Sequence, residues 1–215
     1  MTIPLPLSVP RQVDRGILIA TVALGAVGLA GLIVLGLALP DSQRLAASLV
    51  FGVCLLLCSC SSFLYNMLET DWRAVLRQLD HCAIFLLIAG TYTPFVASGV
   101  PGPLGLGLLE WVWGLALAGI AVKLLRPGRY DRLFVGLYVA LGWLFVSALG
   151  PFVAANSLPS LILLGIGGVS YTAGALIFSR GIGAWTGAVW HGCVFVGSLS
   201  HFLAVVALRL APPIL

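Results

Sequence analysis

Asp80, His81, His191 and His201 stand inside long apolar stretches of this chain, where ionisable side chains are costly and are functional candidates by default. Glu110 shares that position, less than two turns from the end of its stretch. A second pattern accompanies them. Cys54, Cys58, Ser62 and Asn66 recur every four residues, which aligns them along one face of a helix. Carboxylate, imidazole and thiol are the side chains that hold zinc. The same groups, satisfied by one another, also make an interhelical hydrogen-bond network. Both readings require the groups to meet, so the elements that carry them come next.

Seven apolar stretches fill most of the 215 residues: roughly 16–39, 45–65, 79–98, 104–125, 133–154, 158–178 and 184–208. A bilayer core is crossed by about 20 apolar residues in a helix, whereas barrel strands are about ten residues long and alternate in polarity. The chain is 60% hydrophobic and 8% charged, far from the roughly 25% charged residues of soluble domains. The expectation is an all-α membrane protein, a seven-transmembrane helix bundle forming a single domain over 1–215. The tail of about fifteen residues before the first stretch has no cleavable-signal pattern, so the first span is expected to be retained.

The net charge of +4 follows topology and gives no reason to expect nucleic acid. Arg11, Arg15, Arg73, Arg77, Lys123, Arg126, Arg129, Arg132 and Arg180 fall on one side of the predicted spans, and only Arg44 and Arg209 on the other. The positive-inside rule then puts the N-terminus in the cytoplasm and the C-terminus outside, with the basic face against anionic lipid headgroups. A cell (inner) membrane location and membrane lipids as partners follow. No protein partner is named by the sequence. The five cysteines lie within predicted spans and are expected to be free, packing thiols. Trp111, Trp113, Trp185 and Trp190 read mostly as interfacial anchors. The pairs Ser170 with Gly174 and Gly183 with Gly187 read as close-packing positions between helices.

With that topology, Ser62 and Asn66 end the second span at the depth where Asp80 and His81 begin the third, and Gly187 and His191 begin the seventh. His201, ten residues on, sits about 15 Å further along the helix and belongs to another layer. Asp80 and His191 are the two good metal donors at this depth. His81 points about 100° from Asp80 on an ideal helix, and Cys58 lies about 12 Å from Asn66 along the axis. Metal site and polar network both remain open on these residues. The network needs fewer groups.

Ser62-Phe-Leu-Tyr-Asn66, Leu79-Asp80-His81-Cys-Ala-Ile84, Ala89-Gly90-Thr91-Tyr92-Thr93-Pro94-Phe95, and Trp190-His191 with His201-Phe202 ten residues on resemble the haemolysin III family, the bacterial branch of the progestin and adipoQ receptors. The resemblance covers nearly the whole chain and implies the same seven spans. It also implies a zinc site near the cytoplasmic side, held by one histidine ending a Ser-x-x-Tyr-His motif and two from a His-x-x-x-His motif, with serine and aspartate supporting a zinc-bound water. Laid on this chain, Ser62, Asp80 and His191 match, but the other two ligand positions are Asn66 and Gly187. The metal candidates reduce to His191 and Asp80, and the expected cofactor is none or weakly bound zinc. The expected function is a membrane protein with a degenerate metal site and a non-catalytic lipid-binding, sensing or membrane-homeostasis role. The alternative is a zinc-dependent intramembrane hydrolase of lipid amide or ester bonds, with Ser62 and Asp80 as catalytic residues. A pore-forming role is the least supported, since no span carries a polar lumen stripe.

Overall fold

A computed structural model describes residues 8–39, 41–97, 100 and 102–210. Eight α-helices carry the chain: α1 (Val9–Ala38), α2 (Ser42–Met67), α3 (Arg73–Ala97), α4 (Gly102–Leu125), α5 (Asp131–Gly142), α6 (Leu149–Ala155), α7 (Leu158–Arg180) and α8 (Thr186–Leu210). Short 3-10 turns join α5 to α6 and lead into α8. Among the described residues, seven segments are long and apolar enough to cross a membrane, with α5 and α6 sharing the fifth. The protein is all-helical among the described residues and spans the membrane several times. Pro40, and Gly99 and Pro101 of the expected rigid turn, lie outside the described residues.

The helices follow one another round a ring. α1 packs on α2, α2 on α3 and α3 on α4; on the other flank α1 packs on α8 and α8 on α7. α5 closes the circuit by touching α7, α3 and α4. Because hydrocarbon surrounds the bundle, apolar residues cover its outside as well as its core, and close fit holds the helices together. Phe51, Leu55, Phe85, Phe95, Val112 and Val205 are fully enclosed. Small residues set the approach: a Cβ on Gly90 would stand 2.8 Å from the Cys54 side chain, and one on Gly174 would stand 2.7 Å from Cys193 Cβ. Next to the latter contact, Ser170 donates a hydrogen bond to the Cys193 carbonyl at 2.8 Å. The Ser170–Gly174 pair is therefore a packing face, as its spacing predicts. Gly183 is not: it has φ +74° and a Cβ there would meet nothing within 4 Å, so it serves the turn before α8.

Two expectations from the sequence are revised. The first span begins at Val9, with Pro10 in the first turn and Ser8 before it; proline there is compatible with a helix start because its missing N–H has no partner to lose. The chain from 9 to 15 is thus helical and carries Asp14 into the bundle. The fifth span is not one helix. Pro151 cannot donate the i→i−4 bond and its ring crowds the preceding turn, so the helix restarts at Leu149 after a 3-10 stretch, Leu144–Ala148. The Tyr92 hydroxyl stands 3.0 Å from both the Leu141 and the Gly142 carbonyl at the break, its one proton shared between them, and accepts from Phe145 N–H.

The tryptophans also divide. Trp111 and Trp185 are exposed, as anchors should be. Trp113 instead donates to the Thr93 hydroxyl at 3.2 Å, and Trp190 packs on Phe178 with ring centroids 5.5 Å apart. All five cysteines are free.

Candidate functional site

The end of the bundle where α1 begins collects polar groups from four helices. α2 ends there and presents Ser62 and Asn66; α3 begins there with Arg77, Asp80 and His81; α8 begins there with Gly187 and His191. α1 adds Asp14. Ser62 and Asp80 line one small cavity together with His191. Asn66 turns its amide back along its own helix, Nδ2 donating to the Ser62 carbonyl at 2.9 Å. His191 is buried, and its Nδ1 lies 2.6 Å from Asp14 Oδ1. That ion-pair geometry joins residues 177 apart, with side-chain exposures of 9% for His191 and 18% for Asp14.

Asp14 is the residue that sequence reasoning missed. It sits between Arg11 and Arg15 and so reads as part of a charged tail. Ser8 and Pro10 were the available signal, because they mark a helix that starts early enough to bring Asp14 inward. Gly187 is the other half of the arrangement. A Cβ there would stand 3.5 Å from Asp14 Oδ2, so the Asp14 carboxylate lies beside residue 187 at ordinary contact distance.

Two adjoining cavities meet at this site. The smaller, about 40 Å³, is walled by Ser62, Asp80 and His191 with Thr21, Trp190 and Ser198. The larger, about 420 Å³, starts among Asp14, Asn66, Arg77, Asp80, His81 and Lys123 and extends between α3, α5, α7 and α8 to Tyr92, Trp143, Tyr171 and His201. Beyond that end it is largely apolar, lined by Ile84, Leu87, Ile88, Val139 and Val194, while Phe134 lies at the polar end beside Lys123. His201 sits at that far level, its Nε2 3.3 Å from the Leu164 carbonyl. The Tyr171 hydroxyl pairs with Ser198 at 2.9 Å, and the Tyr138 hydroxyl donates to the His81 carbonyl at 2.9 Å. Glu110, by contrast, is exposed on α4 and takes no part.

Residues 17–202 match the family described as haemolysin-III related. The chain belongs to this family. It is 37% identical over 158 residues to a hemolysin-3 homolog of Bacillus subtilis, covering 73% of this chain and 74% of that protein. It is 36% identical over 166 residues to hemolysin-3 of Bacillus cereus, with 77% and 76% covered. A more distant relative is the human monocyte to macrophage differentiation factor, 28% identical over 144 residues, covering 63% of this chain and 59% of that protein. Asp14 lies three residues before the matched segment.

Of the three positions that the family resemblance assigns to zinc, only His191 keeps a side chain that suits the metal. One of the other two is an amide bonded to its own helix and the second is a glycine, while the carboxylate on His191 Nδ1 leaves Nε2 as a single imidazole donor. Among the described residues no three His, Cys, Asp or Glu side chains converge to hold an ion, and a catalytic zinc needs three protein ligands.

Proposed function

We propose that this haemolysin-III-related protein is a non-catalytic lipid-binding or sensing module of the cell membrane, one domain with its N-terminus in the cytoplasm. The observation that carries the reading is the larger cavity. Its about 420 Å³ falls within the roughly 300–1,000 Å³ of ligand sites, which are mostly apolar with a few placed polar groups. The carboxylates and cations gather at one end and mostly apolar and aromatic residues line the rest, with His201 at the far level, a division that suits an amphiphile. Asn66, Gly187 and the Asp14–His191 pair support a site held by hydrogen bonds without a resident metal.

Chain purified in a mild detergent and analysed by mass spectrometry is expected to carry an amphiphile at close to one per chain. Ala175, buried on the cavity wall, supplies the control: Ala175→Trp fills the space and removes the bound lipid while the fold persists. Lipid-free wild-type protein that also fails to take up added amphiphiles would end this reading. The gathering of Ser62, Asp80 and His191 around one small cavity favours the second reading, a lipid amide or ester hydrolase. Chelator-sensitive hydrolysis lost in Asp80→Asn would establish it in place of the first.

A further inference from the structure

His201 lies within a span yet takes no part in the polar end of the bundle. It stands ten residues beyond His191 on α8, about 15 Å further along, at a depth where an ionisable side chain asks for a functional explanation. Gly187, Val194 and His201 follow at seven-residue intervals, which keeps them on one helix face, and all three line the large cavity. The imidazole leans from that face across α7. A Cβ on Gly167 would collide with the ring's Cδ2 and Nε2, so α7 carries a glycine where the ring crosses it. That edge of the ring is spent on α7, with Nε2 3.3 Å from the Leu164 carbonyl. Nδ1, on the opposite edge, faces away from α7 and has no hydrogen-bond partner among the described residues.

A carbonyl only accepts, so Nε2 carries the ring hydrogen. Charging the ring is costly at this depth, and Asp14 and Asp80, the described carboxylates that line the cavity, lie at its other end. The neutral ring therefore offers Nδ1 as a bare acceptor. Beside it, the Tyr171 ring meets the imidazole edge-on with centroids 5.3 Å apart, and the Tyr171 hydroxyl is bonded to Ser198 at 2.9 Å. That pair holds two hydroxyl hydrogens and uses one between its members, which leaves one to donate to a third oxygen. An acceptor and a donor thus stand together in a largely apolar space. A ligand carbonyl answers only the donor, whereas a hydroxyl answers both.

We propose that His201 with the Tyr171–Ser198 pair is a hydroxyl-recognition subsite, selecting a single-chain amphiphile whose acyl chain carries a hydroxyl about 15 Å from its head. This rests on the lipid-binding reading above and adds chain specificity to it. An unmodified chain leaves Nδ1 bare in hydrocarbon, and a buried acceptor without a partner is costly. A hydroxyl at that distance repairs the deficit. One placed nearer the head is itself buried against Ile84, Leu87 and Val194, where nothing pays for its lost water.

The test is native mass spectrometry of the full chain in maltoside micelles, titrated with 1-monoacylglycerols, whose uncharged head makes no demand on the charges at the polar end. The acyl chains are stearoyl, 12-hydroxystearoyl, 12-oxostearoyl and 6-hydroxystearoyl. The 12-hydroxy lipid is expected to bind about three- to tenfold more tightly than the stearoyl lipid, the effect of one or two net hydrogen bonds. The 12-oxo lipid should gain less, and the 6-hydroxy lipid should bind more weakly than stearoyl. His201→Leu should bring the 12-hydroxy lipid to or below the stearoyl level while stearoyl binding persists. The four-lipid comparison is made on wild type, so it carries the test should His201→Leu fail to fold. Equal binding of the 12-hydroxy and stearoyl lipids, or a preference that survives His201→Leu, overturns the subsite but leaves the lipid reading standing. A 12-oxo lipid as tight as the 12-hydroxy one overturns Nδ1 as the acceptor, and a 6-hydroxy lipid as tight overturns the depth. Absence of binding by all four defeats the lipid reading itself.

Discussion

Removing Asp14 should loosen the bundle through a residue 177 positions away. The Asp14–His191 contact is 2.6 Å long and mostly enclosed, and it ties the start of α1 to the start of α8. A hydrogen bond to a charged group contributes about 1.5–3 kcal/mol in a protein, whereas interhelical hydrogen bonds in membranes average about 0.6 and reach about 1.7 kcal/mol. The shortness and burial of this one place it near the upper membrane figure, so a coupling of about 1.5 kcal/mol is expected, roughly a tenfold change in equilibrium constant. Asp14→Ala also strands the imidazole, because a buried donor left without a partner costs about 1–3 kcal/mol. The adjoining cavity can admit water to it, which holds the total to about 2–3 kcal/mol. His191→Ala should cost less, since Asp14 is the more exposed partner. Reversible unfolding by steric trapping in bicelles, run on wild type, both single variants and the double variant, measures all four corners of the cycle. The double variant should lose about 1.5 kcal/mol less than the sum of the singles. A coupling under about 0.3 kcal/mol, or an Asp14→Ala chain as stable as wild type, would refute the idea that this pair fastens α1 to α8.

Two further outcomes follow from the same geometry. Asn66→His with Gly187→His should rebuild a three-histidine set with His191, because the Cβ added at 187 meets Asp14 only at ordinary contact distance. Elemental analysis should then find about one zinc per chain in the double variant and less in either single one; no gain of zinc would show that the depth or direction of these positions is misjudged. Gly197→Ala should destabilise by about 1–3 kcal/mol, since the new methyl needs space the Tyr171 ring occupies at 2.7 Å and overpacking costs that much. Gly165→Ala, with nothing within 4 Å, is the matched control and should be neutral in the same unfolding assay.

Much of the architecture was legible because hydrocarbon imposes it. A span must satisfy its own backbone and shed charge, so length and composition alone mark all seven. The meeting of Ser62, Asp80 and His191 at one level was legible for a related reason: direction of travel and 1.5 Å per residue fix depth. What a one-dimensional reading lacks is the azimuth of residues near span ends. Lys123 and Arg209 both look like membrane-flanking charges. Yet Lys123 turns into the interior, and Arg209, 5% exposed, donates to the Leu39 carbonyl at 2.8 Å and to that of Asp41 at 3.4 Å. Asp14 was hidden because its helix starts seven residues before the apolar stretch does. The break in the fifth span was hidden because Leu, Phe and Val continue through it, and only Pro151 marks the place.

The first and last helices are clasped at both faces of the bundle, by Asp14 with His191 at one and by Arg209 with the α1–α2 turn at the other. Such a clasp has a consequence for biogenesis. During synthesis the opening helix enters the lipid with its carboxylate unmatched and waits through five further crossings for its imidazole. The polar pocket therefore comes into being only as the final helix leaves the ribosome, and a nascent chain interrupted before that point holds the walls without the keystone.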